Sequence, residues 1–152
     1  MCLCGRRRAR RRCAECGSAV ARHEMAVREA LEADYRLHGF VWDARSSSLS
    51  SRQCTRRPDF LWTFEAACVA LEVDENEHAG YDAEDEERRT REIEDSMGRP
   101  VFWVRVRVAR GATHEATGLA VVAAADNIAE LISLARKKVG GSKTKDLTIR
   151  AR

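Results

Sequence analysis

Between Ala21 and Leu37 the chain reads ARHEMAVREALEADYRL, with Met25, Leu31, Tyr35 and neighbouring alanines recurring at helical spacing. That period predicts an amphipathic helix, which Gly39 ends. GFVWD predicts a short strand. The polar, Ser-rich ARSSSLSSRQCTRR predicts a mobile loop. PDFLWTF opens with a proline, which a strand tolerates at its first residue, and its aromatic content favours extended backbone. After the tight connection EAA comes a second apolar strand, CVALEV, and the two predict a hairpin. The segment from Tyr81 to Met97 is charged and helix-favouring, with a sparse apolar face, and Gly98 stops it. VFWVRVRV then alternates at its end, placing Val104, Val106 and Val108 on one face and Arg105 and Arg107 on the other. GLAVVAAADNIAELISLARKKV predicts one closing helix, with Gly140 and Gly141 as the stop.

The order is helix, strand, strand, strand, helix, strand, helix, with no internal repeat. It predicts an α/β domain with one mixed sheet flanked by helices. The 152 residues suffice for a single domain with tails, divided as a Cys/Arg-rich basic arm (1–19), a folded domain (20–139) and a basic flexible tail (140–152).

Charge adds a second pattern. Charged residues make up 34% of the chain, against about a quarter in an average domain. The net charge of +3 conceals segregation: RRRARRR (Arg6 to Arg12) and ARKKVGGSKTKDLTIRAR are basic, and the stretch from Glu72 to Asp95 is acidic. Basic arms around an acidic centre suit an anionic partner, and solvated tails account for the same pattern. No stretch is long enough for a membrane span, and no apolar region follows the first arginines as a secretory signal requires. The six cysteines are therefore expected to be reduced, in an intracellular protein of nucleus or cytoplasm.

The candidate chemistry lies in RRPDFLWTFEAACVALEVDENEH. If CVALEV continues as a strand through Asp74, then Glu72 and Asp74 share one face. Asp59, on the neighbouring strand, projects into the same space. Three adjacent carboxylates repel, and burial raises the cost. A divalent cation relieves both, and oxygen-only donors suit magnesium or manganese. His78 follows Asp74 by four residues and, with an ordinary imidazole pKa of about 6.5, suits proton transfer. Tyr81, Glu86 and Arg89 come next, and a helical arginine facing the cluster suits a phosphate. Each residue also has a plainer role. Asp59 can begin a strand, Glu72 can pair with Arg105 or Arg107, Asp74 can be a solvated loop charge, His78 can be structural and Arg89 can sit in a surface ion pair. A calcium loop in DENEHAGYDAED fails, because Ala79 stands where its glycine is required.

The pattern of Pro58-Asp59, then Glu72-x-Asp74-x-x-x-His78, then Tyr81-Asp82, Arg89, Gly98 and VFWVRV resembles the PD-(D/E)XK nuclease superfamily. The likeness is to its very-short-patch-repair-like branch, and it extends to uncharacterised proteins of large DNA viruses. It covers about residues 56 to 108. It implies a restriction-endonuclease-like αβββαβ core, here followed by a C-terminal helix, and magnesium- or manganese-dependent hydrolysis of DNA. By resemblance Asp59 and Glu72 are metal ligands, Asp74 is a third ligand or positions water, His78 is the acid-base residue, and Arg89 faces the site. Glu24 would supply an extra acid from the first helix, with Glu29 and Glu32 as competitors. The signature lysine is absent, Asp74 standing in its place, and His78 takes its role. ARGATHEATG replaces an Asn-Pro-Asp-like segment of relatives.

Cys13-x-x-Cys16 has the spacing of half a zinc site, which Cys2, Cys4 or His23 would complete. Cys54 and Cys68 read as loop and core residues. Three functions follow as expectations: a metal-dependent endonuclease acting on DNA, a non-catalytic nucleic-acid binder with a degenerate nuclease fold, and a protein-interaction domain using the acidic helix. None includes a membrane.

Overall fold

The computed structural model describes residues 22–42, 57–75, 83–137 and 146–152. The protein is an α/β domain with one mixed five-stranded sheet flanked by helices. The elements, in chain order, are α1 (Arg22–Ala33), a 3-10 helix (Tyr35–Leu37), β1 (Val41–Trp42), β2 (Phe60–Thr63), β3 (Cys68–Glu75), α2 (Ala83–Met97), β4 (Val101–Val108), α3 (His114–Ala123), α4 (Ala125–Arg136) and β5 (Asp146–Ala151). The strands lie in the order β1-β2-β3-β4-β5. β1, β2 and β3 pair antiparallel, and β3, β4 and β5 pair parallel. The α–β–β–β–α–β order and the PDFLWTF/CVALEV hairpin are as the pattern predicts, with Phe64 N–H donating to Ala67 C=O at 3.0 Å across the connection.

Period-2 alternation sorts the sheet into two faces. Phe60, Trp62, Val69, Leu71, Val104, Val106, Val108 and Ile149 pack with residues of α1, α3 and α4 in one core. Leu61, Cys68, Ala70, Val101 and Trp103 face the other way and meet Ile93 and Met97 of α2. The core reading of Cys68 therefore holds: the side chain is fully buried, and burial pushes its thiol pKa up. Trp62 satisfies its buried indole by donating Nε1–H to Leu37 C=O at 2.9 Å.

On the α2 side, side chains change character along the strands. Nearer the start of β3 and β4 they are apolar, at Cys68, Ala70, Val101 and Trp103; towards the end they are Glu72, Asp74, Arg105 and Arg107. α2 follows the same division. Ile93 and Met97 cover the apolar half, and Glu86, Arg89 and Thr90 approach the charged half. α2 has few apolar residues but many good helix formers. Its first turn is acidic, which suits the helix N-terminus. At its end Gly98 takes φ 63°, a left-handed conformation that glycine adopts without steric penalty. The parallel β3–α2–β4 crossover thus places charged side chains at the carboxyl ends of two central strands, a position where α/β sheets commonly bind ligands.

Three expectations about the elements need correction. The first helix stops at Ala33, because Asp34 leaves helical geometry and caps the 3-10 helix, accepting from Arg36 N–H at 3.0 Å. Gly39, at φ 95°, instead leads into β1. The closing helix is two helices that break at Ala124, and α3 begins earlier than expected, at His114. Thr113 caps α3, its hydroxyl accepting from Ala116 N–H at 3.0 Å. Thr113→Ala is expected to cost about 1 kcal/mol in a urea titration, since a lost cap leaves a helix-end donor unsatisfied. Finally, the last residues are not a flexible tail throughout. DLTIRA is β5, parallel to β4, with Ile149 and Ala151 buried against the core and Ala109 N–H donating to Ala151 C=O at 2.9 Å. Strand alternation is present in that segment, but the basic residues around it mask the signal.

Candidate functional site

Asp59, Glu72 and Asp74 are all buried, with relative exposures of 8%, 3% and 4%. Asp59 stands just before β2, and its Oδ2 accepts a hydrogen bond from Val73 N–H at 2.8 Å. That contact ties it to the backbone between Glu72 and Asp74. Glu72 and Asp74 project to the α2 side of β3, while Val73 packs against the opposite core. The shared face expected from alternation is therefore observed.

Glu72 is the centre of the charge network. Its register partner on β4 is Arg105, whose Nη1 lies 3.2 Å from Oε2. Arg89 of α2 approaches from the helix side, with Nη2 at 2.8 Å from Oε1 and Nη1 donating to Oε2 at 3.4 Å. The contact at Oε1 is an ion pair without hydrogen-bond alignment, so this deeply buried oxygen has no hydrogen-bond donor. The Glu72 pKa is pushed up to about 7 from 4.5. Burial is the main cause; Arg89 and Arg105 oppose it, and the like charges of Asp59 and Asp74 add to it.

Arg105 has further partners. Its Nη1 donates to Glu86 Oε1 at 2.9 Å, its Nη2 donates to Thr90 Oγ1 at 3.1 Å, and its guanidinium lies 5.0 Å from the Trp103 ring centroid. Trp103 in turn donates Nε1–H to Glu94 at 2.8 Å. Sequence reasoning offered Arg105 only as a plain ion-pair partner for Glu72 and missed the roles of Thr90 and Trp103. The signal for Arg105 was its place in the alternating VFWVRVRV, but its register against Glu72 is set across a parallel pairing.

Of the competing acids on α1, Glu24 is buried, whereas Glu29 and Glu32 are exposed, and Glu32 pairs with Arg28 at 2.7 Å. Glu24 lies in the first turn of α1, next to His23, whose Nδ1 is 2.8 Å from Thr117 Oγ1 of α3. His78, Tyr81 and Asp82 lie outside the described residues, as do Cys13, Cys16 and Cys54 and the basic arm. Among the described residues, no three His, Cys, Asp or Glu side chains stand in a preformed metal-binding geometry. Also among them, no single helix is long and apolar enough to cross a membrane.

The chain matches no protein-family model, and no curated protein or solved structure is significantly similar to it.

Proposed function

We propose that the protein is a metal-dependent endonuclease-like hydrolase of DNA phosphodiester bonds, built on a restriction-endonuclease-like core. One observation carries this reading. Three buried acids meet at the carboxyl end of β3: Glu72 and Asp74 share the α2 face of the strand, and Asp59 is held to the backbone between them by Val73 N–H at 2.8 Å. The donor chemistry suits a hard divalent cation, because all three offer carboxylate oxygens and Glu72 Oε1, buried and met only by the Arg89 ion pair, accepts no hydrogen bond. Magnesium or manganese held by Asp59, Glu72 and Asp74 would supply polarisation of a phosphoryl oxygen and a more acidic water.

The chain's own residues do the rest. Asp59 is fixed by the Val73 N–H bond and keeps the acids together. Arg89, about one-third exposed at the mouth of the cluster, suits a phosphodiester oxygen with its planar fork of donors. His78, by resemblance, transfers the proton. Basic segments at both ends of the chain would neutralise neighbouring phosphates, so DNA affinity should fall steeply with salt.

A second reading, a nucleic-acid binder that does not cut, draws on a different observation. Arg89 and Arg105 already compensate Glu72 without any cation. A nicking assay on supercoiled plasmid separates the two. The wild type is expected to nick with magnesium or manganese and not with chelator, and Asp59→Ala and Glu72→Ala are expected to lose at least about a hundredfold in rate, the lower range for removing a principal electrostatic group. Cleavage surviving both substitutions would exclude this site. Salt-sensitive DNA binding without cleavage by the wild type would establish the second reading.

A further inference from the structure

Glu72 is held by two guanidinium groups in very different settings. Arg105 is 16% exposed and reaches Glu72, Glu86 and Thr90 at once, with its face against Trp103. Every contact fixes its plane, so moving it would break several interactions together. Arg89 is 32% exposed, and among the described residues its polar contacts go to Glu72. One contact, at 2.8 Å, lacks hydrogen-bond alignment, and the other is long at 3.4 Å. It projects from one turn of α2, and its head can return to water by rotating about its own side-chain bonds.

Resting on the cation-dependent reading above, we propose that Arg89 is an exchangeable counter-ion. In the cation-free protein it occupies the Glu72 carboxylate; a divalent cation takes that carboxylate and releases the guanidinium, while Arg105 remains as the fixed positioning residue. Two cationic groups that compete for one carboxylate must weaken each other reciprocally. The exchange keeps the buried acids compensated at every stage, because Arg105 never leaves. It also makes the arginine at the mouth of the site available to an anion only once the cation is bound.

Direct manganese binding tests this, followed through the spectroscopic signal of free manganese in the full-length wild type, Arg89→Gln and Arg89→Lys. Removal of the competitor is expected to tighten manganese binding by at least about fivefold in Arg89→Gln, the low end of coupling between linked sites. Arg89→Lys keeps the charge but loses the fork, and is expected to fall between Arg89→Gln and wild type. It carries the test if the glutamine variant does not fold. Manganese binding by the wild type with equal or weaker binding in the variants overturns the exchange and leaves the hydrolase reading standing. No manganese binding in the wild type or the variants overturns both. Tighter binding in the variants together with a wild type that never cuts DNA supports the exchange and removes the hydrolase reading.

Discussion

Arg105→Ala is expected to lower the unfolding free energy by about 3–5 kcal/mol at a pH of about 8, the range for breaking a buried ion pair from one side. Arg105, itself 16% exposed, is the inner counter-ion of a carboxylate that is only 3% exposed. Its removal leaves Glu72 with Arg89 alone, frees Glu86 and Thr90 from their shared donor, and strips the guanidinium from Trp103. Leaving the buried charge with only part of its compensation is the dominant cost, because the low-dielectric interior offers little in place of water. Two comparisons isolate that cause. The penalty should shrink as pH falls, since Glu72 then escapes by taking a proton. Adding Glu72→Leu to Arg105→Ala should recover much of the loss, because no buried charge remains to compensate. Urea denaturation of the single and double variants measures both. A loss below about 1 kcal/mol for the single variant would place Arg105 among ordinary surface ion pairs.

Glu72→Gln is expected to change the pH dependence of stability, and the sign follows from linkage. The Glu72 pKa is about 7 in the folded protein and 4.5 in its ordinary state. Between those values the folded chain holds a proton that the unfolded chain has lost. Stability therefore falls as pH rises through this window and levels off above about 7. At about 1.36 kcal/mol per pH unit, the full drop is on the order of 3 kcal/mol. Glu72→Gln removes this contribution and leaves other titrations in place. The difference between variant and wild type should therefore grow in the variant's favour from pH 4.5 to about 7. A parallel pair of stability profiles over that range would show that Glu72 titrates normally. Under the proposed function, magnesium should stabilise the wild type above the window and leave Glu72→Gln less affected, because the cation binds the ionised carboxylate and not the amide.

Both predictions depend on how Glu72 is surrounded, and much of its position was legible beforehand. The alternation of CVALEV places Glu72 and Asp74 on one face and Val73 on the other once the strand continues through Asp74, as it does, because side-chain direction in a strand has a period of two residues. The proline before Asp59 and the short EAA connection marked the hairpin that brings Asp59 alongside β3. The alternating valines of VFWVRVRV put Arg105 on the opposite face from the main core. The pairing of Arg105 with Glu72 was visible only as one of two candidates, the other being Arg107. The choice rests on a parallel register set 33 positions apart in the chain, where α2 and the core packing decide the alignment.

Elements whose stability is local were the ones the sequence could determine by itself. The hairpin, the α2 stretch with its glycine stop and the facing of β3 and β4 follow from residue period, turn residues and helix propensity. Tertiary structure alone decided that DLTIRA is a strand, that the closing helix breaks at Ala124, and that Arg89 and Arg105 meet on a single carboxylate. The reason is physical. A short segment flanked by basic residues gains nothing from being extended until β4 supplies its hydrogen-bond partners, and a buried acid finds its counter-ions through the packing of a helix on a sheet. Neither energy is present in any short window of the chain.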